Sequence, residues 1–516
     1  MGARISTVAF VGAEARLVDV QVQVAPGRQA FNIVGLADKA VAESKERVIA
    51  TFAAMGLKLP YKRIVINLAP ADMPKAGAHY DLPIMLALMA MLGAVPEDAL
   101  DGYAAIGELS LDGSITGVPG ALPAAMCVSA NDLGLICPDA NGPEAAWAGD
   151  LSVLAPKNLI QLLNHFKGTQ VLSRPEPGEL LDVVNPLDMR DVRGQETAKR
   201  ALEVAAAGGH NMLMVGPPGS GKSMLAARMA GILPPLSAHE LLDVSMIHSV
   251  AGLLERGQLS RARPFRSPHH SASMAAMVGG GVKAKPGEAS LAHRGVLFLD
   301  ELPEFSPQVL DSLRQPLEVG EINVARVNAH VTYPARFQLI SAMNPCRCGG
   351  AGGADGIACR RGPRCAADYE GRISGPFMDR IDIQIDVPAV TPADLALPPS
   401  KDGTHEVAAR VLAARQMAEV RNGGCTNAEL STAQLDHVAV PERDGMALLQ
   451  KAAETLGLTA RGYHRVLRVA RTLADLDATE TIKRLHIAEA LAHRRGRKPV
   501  AQTGFRSSKV YPKPVR

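Results

Sequence analysis

Hydrophobic and polar positions recur with different periods along the chain, and the changes of period divide it into segments. In residues 1–172, runs with the two-residue period of strands, such as 17–24 and 63–68, alternate with apolar helical stretches at 40–55 and 82–92. Residues 192–388 repeat the order helix, strand, loop, which is typical of a parallel sheet covered on both faces. Residues 405–495 show helical spacing only. This pattern predicts two α/β domains followed by a helical one.

Three segments lack this periodicity. Residues 173–191 and 389–404 are rich in proline, and we expect both to be linkers between domains. Residues 496–516 are predicted to be a basic, disordered tail. The longest uncharged apolar run, 82–95, is shorter than the roughly 18 residues that a membrane-spanning helix needs, and the N-terminus does not read as a secretory signal. We therefore expect a cytoplasmic protein without membrane contact.

Composition changes this picture mainly through the distribution of charge. Apolar residues make up 47% of the chain and charged residues 21%, which is ordinary for a globular protein and excludes disorder throughout. The formal net charge is only +3. From Arg494 onward, however, eight residues are basic and none is acidic, so the rest of the chain carries 47 basic and 52 acidic residues. The charges describe a mildly acidic body with a basic tail.

A glycine-rich loop lies between the apolar strand 212–215 and a helical run. The glycines of such a loop let backbone N–H groups point at phosphate oxygens, at a helix N-terminus whose dipole favours anions. We expect Lys222 to reach the β- and γ-phosphates of ATP and the Ser223 hydroxyl to bind Mg²⁺. The alternative is a glycine-rich turn with an incidental lysine. The complete P-loop consists of Gly216, Pro217, Pro218, Gly219, Ser220, Gly221, Lys222 and Ser223.

Two further strands end in polar residues that suit the same chemistry. The apolar run 295–299 leads into Asp300 and Glu301, which would lie beside the Mg²⁺ and beside the attacking water. By themselves these acids would also fit a helix cap, so their assignment depends on the P-loop. Strand 337–343 ends at Asn344, whose amide is predicted to contact the γ-phosphate or the water, with turn formation before Pro345 as the alternative. Together these motifs predict an ATPase.

The order and spacing of VGPPGSGKS, GVLFLDEL, SAMNP and SGPFMDRIDIQIDVP resemble the AAA+ ATPases of the magnesium-chelatase and MCM-helicase branch. The resemblance implies a ring, a hexamer, with ATP bound between subunits and residues 405–495 acting as a helical lid. It implies that Arg380 acts across the subunit interface; a salt bridge within the chain is the alternative. It also implies that Arg461 contacts phosphate from the lid. Arg461 shares helical spacing with Arg465 and Arg468, so a solvated basic face is the competing interpretation.

Over nearly its whole length the chain resembles the YifB/ComM family of magnesium-chelatase-like AAA+ proteins. Residues 321–324 and 330–333 fit a β-hairpin that projects into the ring pore in this branch, and the basic segment 252–294 fits a flexible loop that tracks phosphates, unless it is only a solvated surface loop. The resemblance implies a helicase that drives branch migration of single-stranded or branched DNA during natural transformation and recombination. The alternative is a chelatase-type subunit that remodels a protein partner.

Residues 1–172 resemble the proteolytic domain of Lon proteases, except in its catalytic positions. His79 stands where that family has its serine nucleophile, and Pro123 stands where it has its lysine base. Since neither residue can perform that chemistry, we expect an inactive domain that serves as a scaffold or binds nucleic acid.

Four cysteines are concentrated in the glycine-rich segment 346–365. Cys346, Cys348, Cys359 and Cys365 could close a tetrahedral Zn²⁺ shell and staple a segment that has little core of its own. Their spacing is less typical than paired CxxC motifs, and reduced free thiols are the alternative.

Overall fold

The computed structural model describes residues 2–183, 187–281, 284–326, 329–349, 359 and 363–494. The predicted tail, 496–516, lies outside these residues, as do Lys283 of the basic segment and the hairpin turn at 327–328. Among the described helices, none combines the length and the apolarity that crossing a bilayer requires.

The N-terminal domain is built on a seven-stranded mixed sheet with strand order β3-β4-β2-β1-β5-β8-β9. The strands of this sheet are β1 (Gly2–Val11), β2 (Glu14–Ala25), β3 (Ala30–Val34), β4 (Arg63–Ala69), β5 (Tyr103–Ala105), β8 (Gly134–Ile136) and β9 (Val153–Leu154). Two further strands, β6 (Glu108–Leu109) and β7 (Ile115–Thr116), form a separate two-stranded sheet. The helices of the domain are α1 (Lys39–Ala54), α2 (Asp81–Met91), α3 (Ala121–Ser129), α4 (Gly142–Ala145) and α5 (Leu159–Phe166). The predicted strands 17–24 and 63–68 lie within β2 and β4, and the predicted helices are α1 and α2, so these four predictions are confirmed.

Buried and exposed residues alternate along β2, and this alternation shows which face of the sheet is covered. Val18, Val20 and Val22 are buried, whereas the residues between them are exposed. The buried face packs against α1 and against α2, whose residues are buried from Asp81 to Ala90. The apolar run at 82–92 is therefore a core helix. On the other face of these strands, α3 packs around Val8 and Leu17, and the strand residues beyond them, such as Arg4 and Gln21, are exposed.

The central domain contains a five-stranded sheet in which every pairing is parallel, with strand order β13-β14-β17-β11-β18. Alternate residues of β11 enter two different cores, with Met212 and Met214 on one face and Leu213 and Val215 on the other. The prediction of a parallel sheet covered on both faces is confirmed. The elements from the first linker onward are β10 (Leu180–Leu181), α6 (Glu196–Gly208), β11 (Met212–Val215), α7 (Lys222–Ile232), α8 (Ala238–Ala251), β12 (Leu259–Ser260), β13 (Phe265–Arg266), α9 (Met274–Val278), α10 (Glu288–Leu291), β14 (Val296–Leu299), α11 (Pro307–Ser312), α12 (Pro316–Val319), β15 (Glu321–Arg326), β16 (Ala329–Pro334), β17 (Gln338–Met343), α13 (Pro363–Glu370), α14 (Gly375–Met378) and β18 (Ile383–Asp386).

The two segments that we expected to be linkers contain secondary structure. In residues 173–191, β10 pairs in parallel with β12. In residues 389–404, α15 (Pro392–Ala396) begins after Thr391, whose side chain accepts a hydrogen bond from the backbone N–H of Asp394. Elements this short depend on backbone hydrogen bonds and a cap, so apolar periodicity does not reveal them.

The C-terminal domain is helical, as predicted, and consists of α16 (Thr404–Asn422), α17 (Thr432–Val438), α18 (Arg443–Leu456), α19 (Ala460–Leu476) and α20 (Arg484–Ala492). Val407, Val411 and Ala414 of α16 join the same core as residues of α6 and β11. A buried ion pair at 2.6 Å joins Arg421 of α16 to Asp475 of α19. The lid is thereby packed onto the helices beside the P-loop strand.

The N-terminal and central domains contact each other at α8 and at the turn before β12. Trp147 Nε1 donates a hydrogen bond of 2.7 Å to the carbonyl oxygen of Gly257. The backbone N–H of Gly120 donates to the carbonyl oxygen of Ser249 at 3.0 Å, and the Ser249 hydroxyl donates to the buried carboxylate of Glu144. Backbone and buried side chains both take part, so the contact holds the two domains in one arrangement.

Candidate active site

The P-loop lies at the carboxyl end of β11, between β17 and β18. Gly221 adopts a left-handed conformation (φ 86°) at the start of α7, which a residue with a side chain rarely adopts. Gly216 has no room for a side chain, because a Cβ atom there would lie 2.2 Å from the carbonyl oxygen of Val387 in the chain after β18. The fold thus requires glycine at both ends of the loop.

Lys222 is the first residue of α7, and its side chain turns back over the loop. Its ammonium group donates to the carbonyl oxygens of Gly216 and Pro217, both at 2.9 Å. Burial lowers the pKa of Lys222, while the charges of Asp300 and Glu301 act in the opposite direction. The described residues satisfy this cation with neutral oxygens only, so it is available to pair with an anion that enters the loop.

Ser223 and Asp300 form the oxygen-rich side of the site. The Ser223 hydroxyl donates a 2.6 Å hydrogen bond to Asp300 Oδ2. The other carboxylate oxygen of Asp300 accepts the backbone N–H of Glu301 at 2.9 Å. A hydroxyl and a carboxylate are hard oxygen ligands of the kind Mg²⁺ prefers, so the residues present fit this ion.

Glu301 follows β14 in a left-handed backbone conformation (φ 51°), and its carboxylate is half exposed. His270 Nδ1 lies 3.6 Å from Glu301 Oε2. The imidazole of His270 lies against that of His269, with ring centroids 4.0 Å apart and planes tilted by 35°, and meets the ring of Phe305 edge-on at 6.4 Å. Our sequence interpretation missed His270. The available signal was its position just after β13, because the carboxyl ends of neighbouring parallel strands meet at one edge of the sheet.

Asn344 follows β17 and lies beside Lys222; its contact with the γ-phosphate or the water stays a prediction. Its side-chain oxygen lies 3.4 Å from Lys222 Nζ. The chain then continues into the cysteine segment, which returns to the P-loop: a Cβ atom on Gly349 would lie 2.9 Å from Pro218 Cγ. The structure therefore brings together the P-loop, both acids and Asn344.

Arg380 does not join this group within one chain. Its guanidinium is buried, pairs with Glu318, and donates to the carbonyl oxygen of Arg314 at 3.1 Å. In the single chain this is the alternative that we considered, a salt bridge within the subunit. Action across an interface stays a prediction, and it would require Arg380 to exchange Glu318 for phosphate.

Arg461 is exposed in the first turn of α19. The competing interpretation, a solvated basic face, is wrong for the other two arginines of the row. The side chain of Arg465 is only 11% exposed and pairs with Asp382 at 3.4 Å. Arg468 donates to the carbonyl oxygen of Leu430 at 3.0 Å. Among the three, Arg461 is the one placed to meet a ligand or a neighbouring subunit.

The basic segment 252–294 is more ordered than we expected, since it contains β12, β13, α9 and α10. Arg266 forms a two-pronged ion pair with Glu288, at 2.7 and 2.9 Å. Arg263 and Arg294 also pair with carboxylates of α8. The description as a flexible loop is therefore wrong for the described part. The basic residues that stay exposed are Arg256, Arg261 and Lys285.

The predicted hairpin is confirmed. β15 and β16 pair antiparallel with Ile322 opposite Tyr333 and Val324 opposite Val331. These four side chains are buried in the core under the sheet. The base of the hairpin is thus anchored in the domain.

The four clustered cysteines converge in space. The sulfur of Cys348 lies 3.3 Å from the sulfurs of Cys346 and Cys359, and all four sulfurs, including that of Cys365, lie within 4.8 Å of one another. Cys346 and Cys365 are buried. This is a donor set that a tetrahedral soft-metal site requires.

His79 and Pro123, where the resemblance to Lon proteases would place a catalytic pair, are core residues. His79 is buried, its Nε2 lies 2.9 Å from the carbonyl oxygen of Val8, and burial lowers its pKa to about 4. Pro123 is buried in α3. Both residues have packing roles.

Comparison with known proteins extends over the same segments. Three protein-family profiles match: magnesium chelatase, subunit ChlI, over residues 188–395, subunit ChlI of Mg-chelatase over 20–141, and magnesium chelatase, subunit ChlI C-terminal, over 401–494. The chain is 41% identical over 491 residues to the protein YifB of Salmonella typhimurium, covering 95% of this chain and 96% of that protein. It is 40% identical over 492 residues to competence protein ComM of Haemophilus influenzae, covering 94% and 96%. It is also 26% identical to the magnesium-chelatase 38 kDa subunit of Rhodobacter capsulatus, over 60% of this chain and 88% of that subunit. With two such relatives over nearly its full length, the chain belongs to the YifB/ComM family of magnesium-chelatase-like proteins.

Proposed function

We propose that this protein is an ATP-hydrolysing motor of the AAA+ class that assembles as a hexameric ring and moves along DNA in the cytoplasm. Its task would be branch migration of single-stranded or branched DNA during natural transformation and homologous recombination. The observation that carries the ATPase is the meeting of Lys222, Ser223, Asp300 and Asn344 at one edge of a parallel sheet. The relative named competence protein ComM supports the assignment to transformation.

In this proposal each residue has a role that follows from the chemistry of its side chain. The P-loop N–H groups and Lys222 bind the phosphates of ATP, and Ser223 and Asp300 hold Mg²⁺. When bound, Mg²⁺ would supply charge neutralisation on the phosphates. Glu301 accepts a hydrogen bond from the attacking water, and Asn344 orients it. Arg380 of a neighbouring subunit and Arg461 of the lid would stabilise charge on the γ-phosphoryl.

The DNA contacts of this proposal are independent of sequence. The hairpin β15–β16 and the exposed cations Arg256, Arg261 and Lys285 would contact phosphates along the ring axis, and the tail would add further positive charge. Such contacts hold a strand without reading bases, which is what a translocating motor needs.

Two measurements, ATP hydrolysis and branch migration, test the proposal together. ATP turnover is measured without DNA and with single-stranded, forked and four-way DNA at 50 and 200 mM salt, and branch migration is followed on a labelled four-way junction. We expect DNA to stimulate turnover and salt to suppress the stimulation steeply. Lys222→Ala and Glu301→Gln should each reduce turnover at least about 100-fold. The proposed motor would be contradicted if the rate of ATP turnover were the same with and without DNA, or if the four-way junction stayed unchanged.

The competing proposal is a chelatase-type subunit that uses ATP to remodel a protein partner. The likeness to the magnesium-chelatase 38 kDa subunit favours it, although that likeness covers only 60% of this chain. It predicts turnover that is indifferent to DNA in the assay above. The same measurement therefore separates the two.

We also propose that Cys346, Cys348, Cys359 and Cys365 hold a structural Zn²⁺. Four sulfurs within 4.8 Å support this, and four protein ligands leave no open position for catalysis. For the N-terminal domain we propose an inactive relative of the Lon proteolytic fold, supported by the buried His79 and Pro123. When the protein is incubated with casein, we expect the casein to stay uncut with and without ATP.

A further inference from the structure

One half of the N-terminal sheet presents an uncovered face of polar side chains. The strands β1, β2, β4 and β3 lie side by side, and α1 and α2 cover one face of them. On the other face, α3 covers the part of β1 and β2 around Val8 and Leu17, and the described residues place no helix over the rest. Pairing places Arg4 opposite Gln21, Gln21 opposite Asn67, and Asn67 opposite Val34, so the side chains form rows across the strands. We call this surface the open sheet face. Its residues are Arg4, Asp19, Gln21, Gln23, Asn32, Val34, Arg63, Val65 and Asn67.

Positive charge dominates the open sheet face and its rim. Arg4 and Arg63 lie on it, and Arg28 and Lys62 are exposed at the end where β4 begins. In the part of the chain that the structure describes, these four cations form no salt bridge, and Asp19 is the one carboxylate on the face. This concentration stands out because the chain without its tail carries more acidic than basic residues. A polyanion is the complementary partner.

An aromatic side chain stands beside these cations. Tyr61 is 87% exposed and lies two residues before Arg63, in a protein in which aromatic residues make up only 3%. A ring exposed to this extent contributes little to the core, and such a ring is the platform on which unpaired bases stack. The amides of Gln21, Gln23, Asn32 and Asn67 can both donate to and accept from base edges and sugars.

We infer that the open sheet face is a second binding surface for single-stranded DNA, outside the ring pore. This inference rests on the proposed DNA motor, and it places the unwound strand on the open sheet face. From Arg4 to Arg63 the face spans two strand spacings and four residues, roughly 16 Å, which is enough for a few nucleotides. An acidic protein segment would use the cations but neither the stacking ring nor the amide rows.

The test uses the full-length protein without nucleotide and a fluorescent oligo(dT). The face variant is the double substitution Arg4→Glu with Arg63→Glu, and Lys167→Glu is its control because Lys167 is an exposed cation of the same domain at the end of α5. We expect the face variant to weaken binding at least about tenfold at low salt and to flatten the salt dependence. We expect Tyr61→Ala to weaken it about fivefold or more while Tyr61→Phe does not, and Asp19→Asn to strengthen it.

Two further measurements locate the strand and keep the outcomes separate. An oligonucleotide carrying 5-iodouracil should crosslink to Tyr61, and ATP turnover without DNA should be the same in the face variant and the wild type. If wild-type protein binds no DNA, the proposed motor fails; if it binds DNA and the face variant behaves like Lys167→Glu, only the open sheet face is refuted. A face variant that changes the size of the assembly with ATP would make this surface a subunit contact and overturn the inference. Binding of an acidic peptide in preference to oligo(dT) would do the same.

Discussion

If the cysteine cluster holds the proposed zinc, removal of that zinc should open residues 346–365 and disturb the nucleotide site. A tetrahedral zinc with Zn–S bonds of about 2.3 Å has sulfurs about 3.8 Å apart. The sulfur distances of 3.3 Å and the upper limit of 4.8 Å lie on either side of this value, so binding needs shifts of about 1 Å or less. The cluster is thus close to the geometry it would have with zinc.

The expected magnitude follows from binding linkage. Zinc at 1,000 times its dissociation constant would stabilise the closed segment by about 4.1 kcal/mol, which lowers the open fraction about a thousandfold. Among the described residues of this segment, Cys346 and Cys365 are the buried ones, so we expect the metal to be the main contribution that keeps it closed. Gly349 packs against Pro218, so opening should also raise the KM for ATP.

The assay combines metal analysis with limited trypsin digestion, since the segment contains several arginines. Wild-type protein should carry about one zinc per chain. Cys359→Ser or a chelator should remove it and speed cleavage within 346–365 by up to about a thousandfold. Cys425→Ser is the matched control, because Cys425 is half-buried and lies outside the cluster. The reasoning would be refuted if wild-type protein prepared in the presence of zinc carried none. It would also be refuted if trypsin cleaved the two serine variants at equal rates.

Three further predictions concern the core and the active site. His270→Ala should lower kcat about tenfold with an unchanged KM, because Glu301, the proposed general base, loses its neighbour at 3.6 Å, whereas His269→Ala should not. Equal kcat values in the two variants would leave His270 a packing residue. His79 has a folded pKa of about 4, below its unfolded value of about 6.5, so the unfolded state binds the proton first and stability is lost as pH falls from 6.5 to 4. The loss should approach about 3 kcal/mol and be absent in His79→Gln, as followed by urea unfolding with the fluorescence of the single tryptophan, Trp147; an unchanged slope would contradict it. Arg380→Ala should abolish turnover but not ATP binding, and mixing it with Lys222→Ala subunits should restore activity if the arginine acts in trans; no recovery would place its action within the subunit.

Sequence reasoning succeeded where the chemistry depends on consecutive residues. The strand 212–215 and the P-loop were predicted residue by residue, because a phosphate loop needs its glycines and lysine at set positions. The strands before Asp300 and Asn344 were found because apolar runs between polar ends identify buried strands. The hairpin 321–333 was found because hydrophobic and polar residues alternate on both sides of a short turn.

Sequence reasoning failed where a charge is matched by a residue far along the chain. The basic segment 252–294 was expected to be a flexible loop that tracks phosphates, but the fold places Glu288 beside Arg266 and Asp243 beside Arg294. His270 was not identified from the sequence, because its relation to Glu301 depends on the adjacency of β13 and β14. The strand β10 carries no signal of its own, since its partner β12 supplies its backbone hydrogen bonds.

The sequence by itself determined the family, the P-loop, the acids that follow it and the division into α/β and helical parts. These depend on local composition, spacing and periodicity, which are properties of neighbouring residues. The tertiary structure decided which cations are neutralised, that Arg380 is held by Glu318, that four sulfurs meet, and that one sheet face is left open. Those depend on which distant segments become neighbours when the cores form, and burial and charge pairing have no meaning until that contact exists.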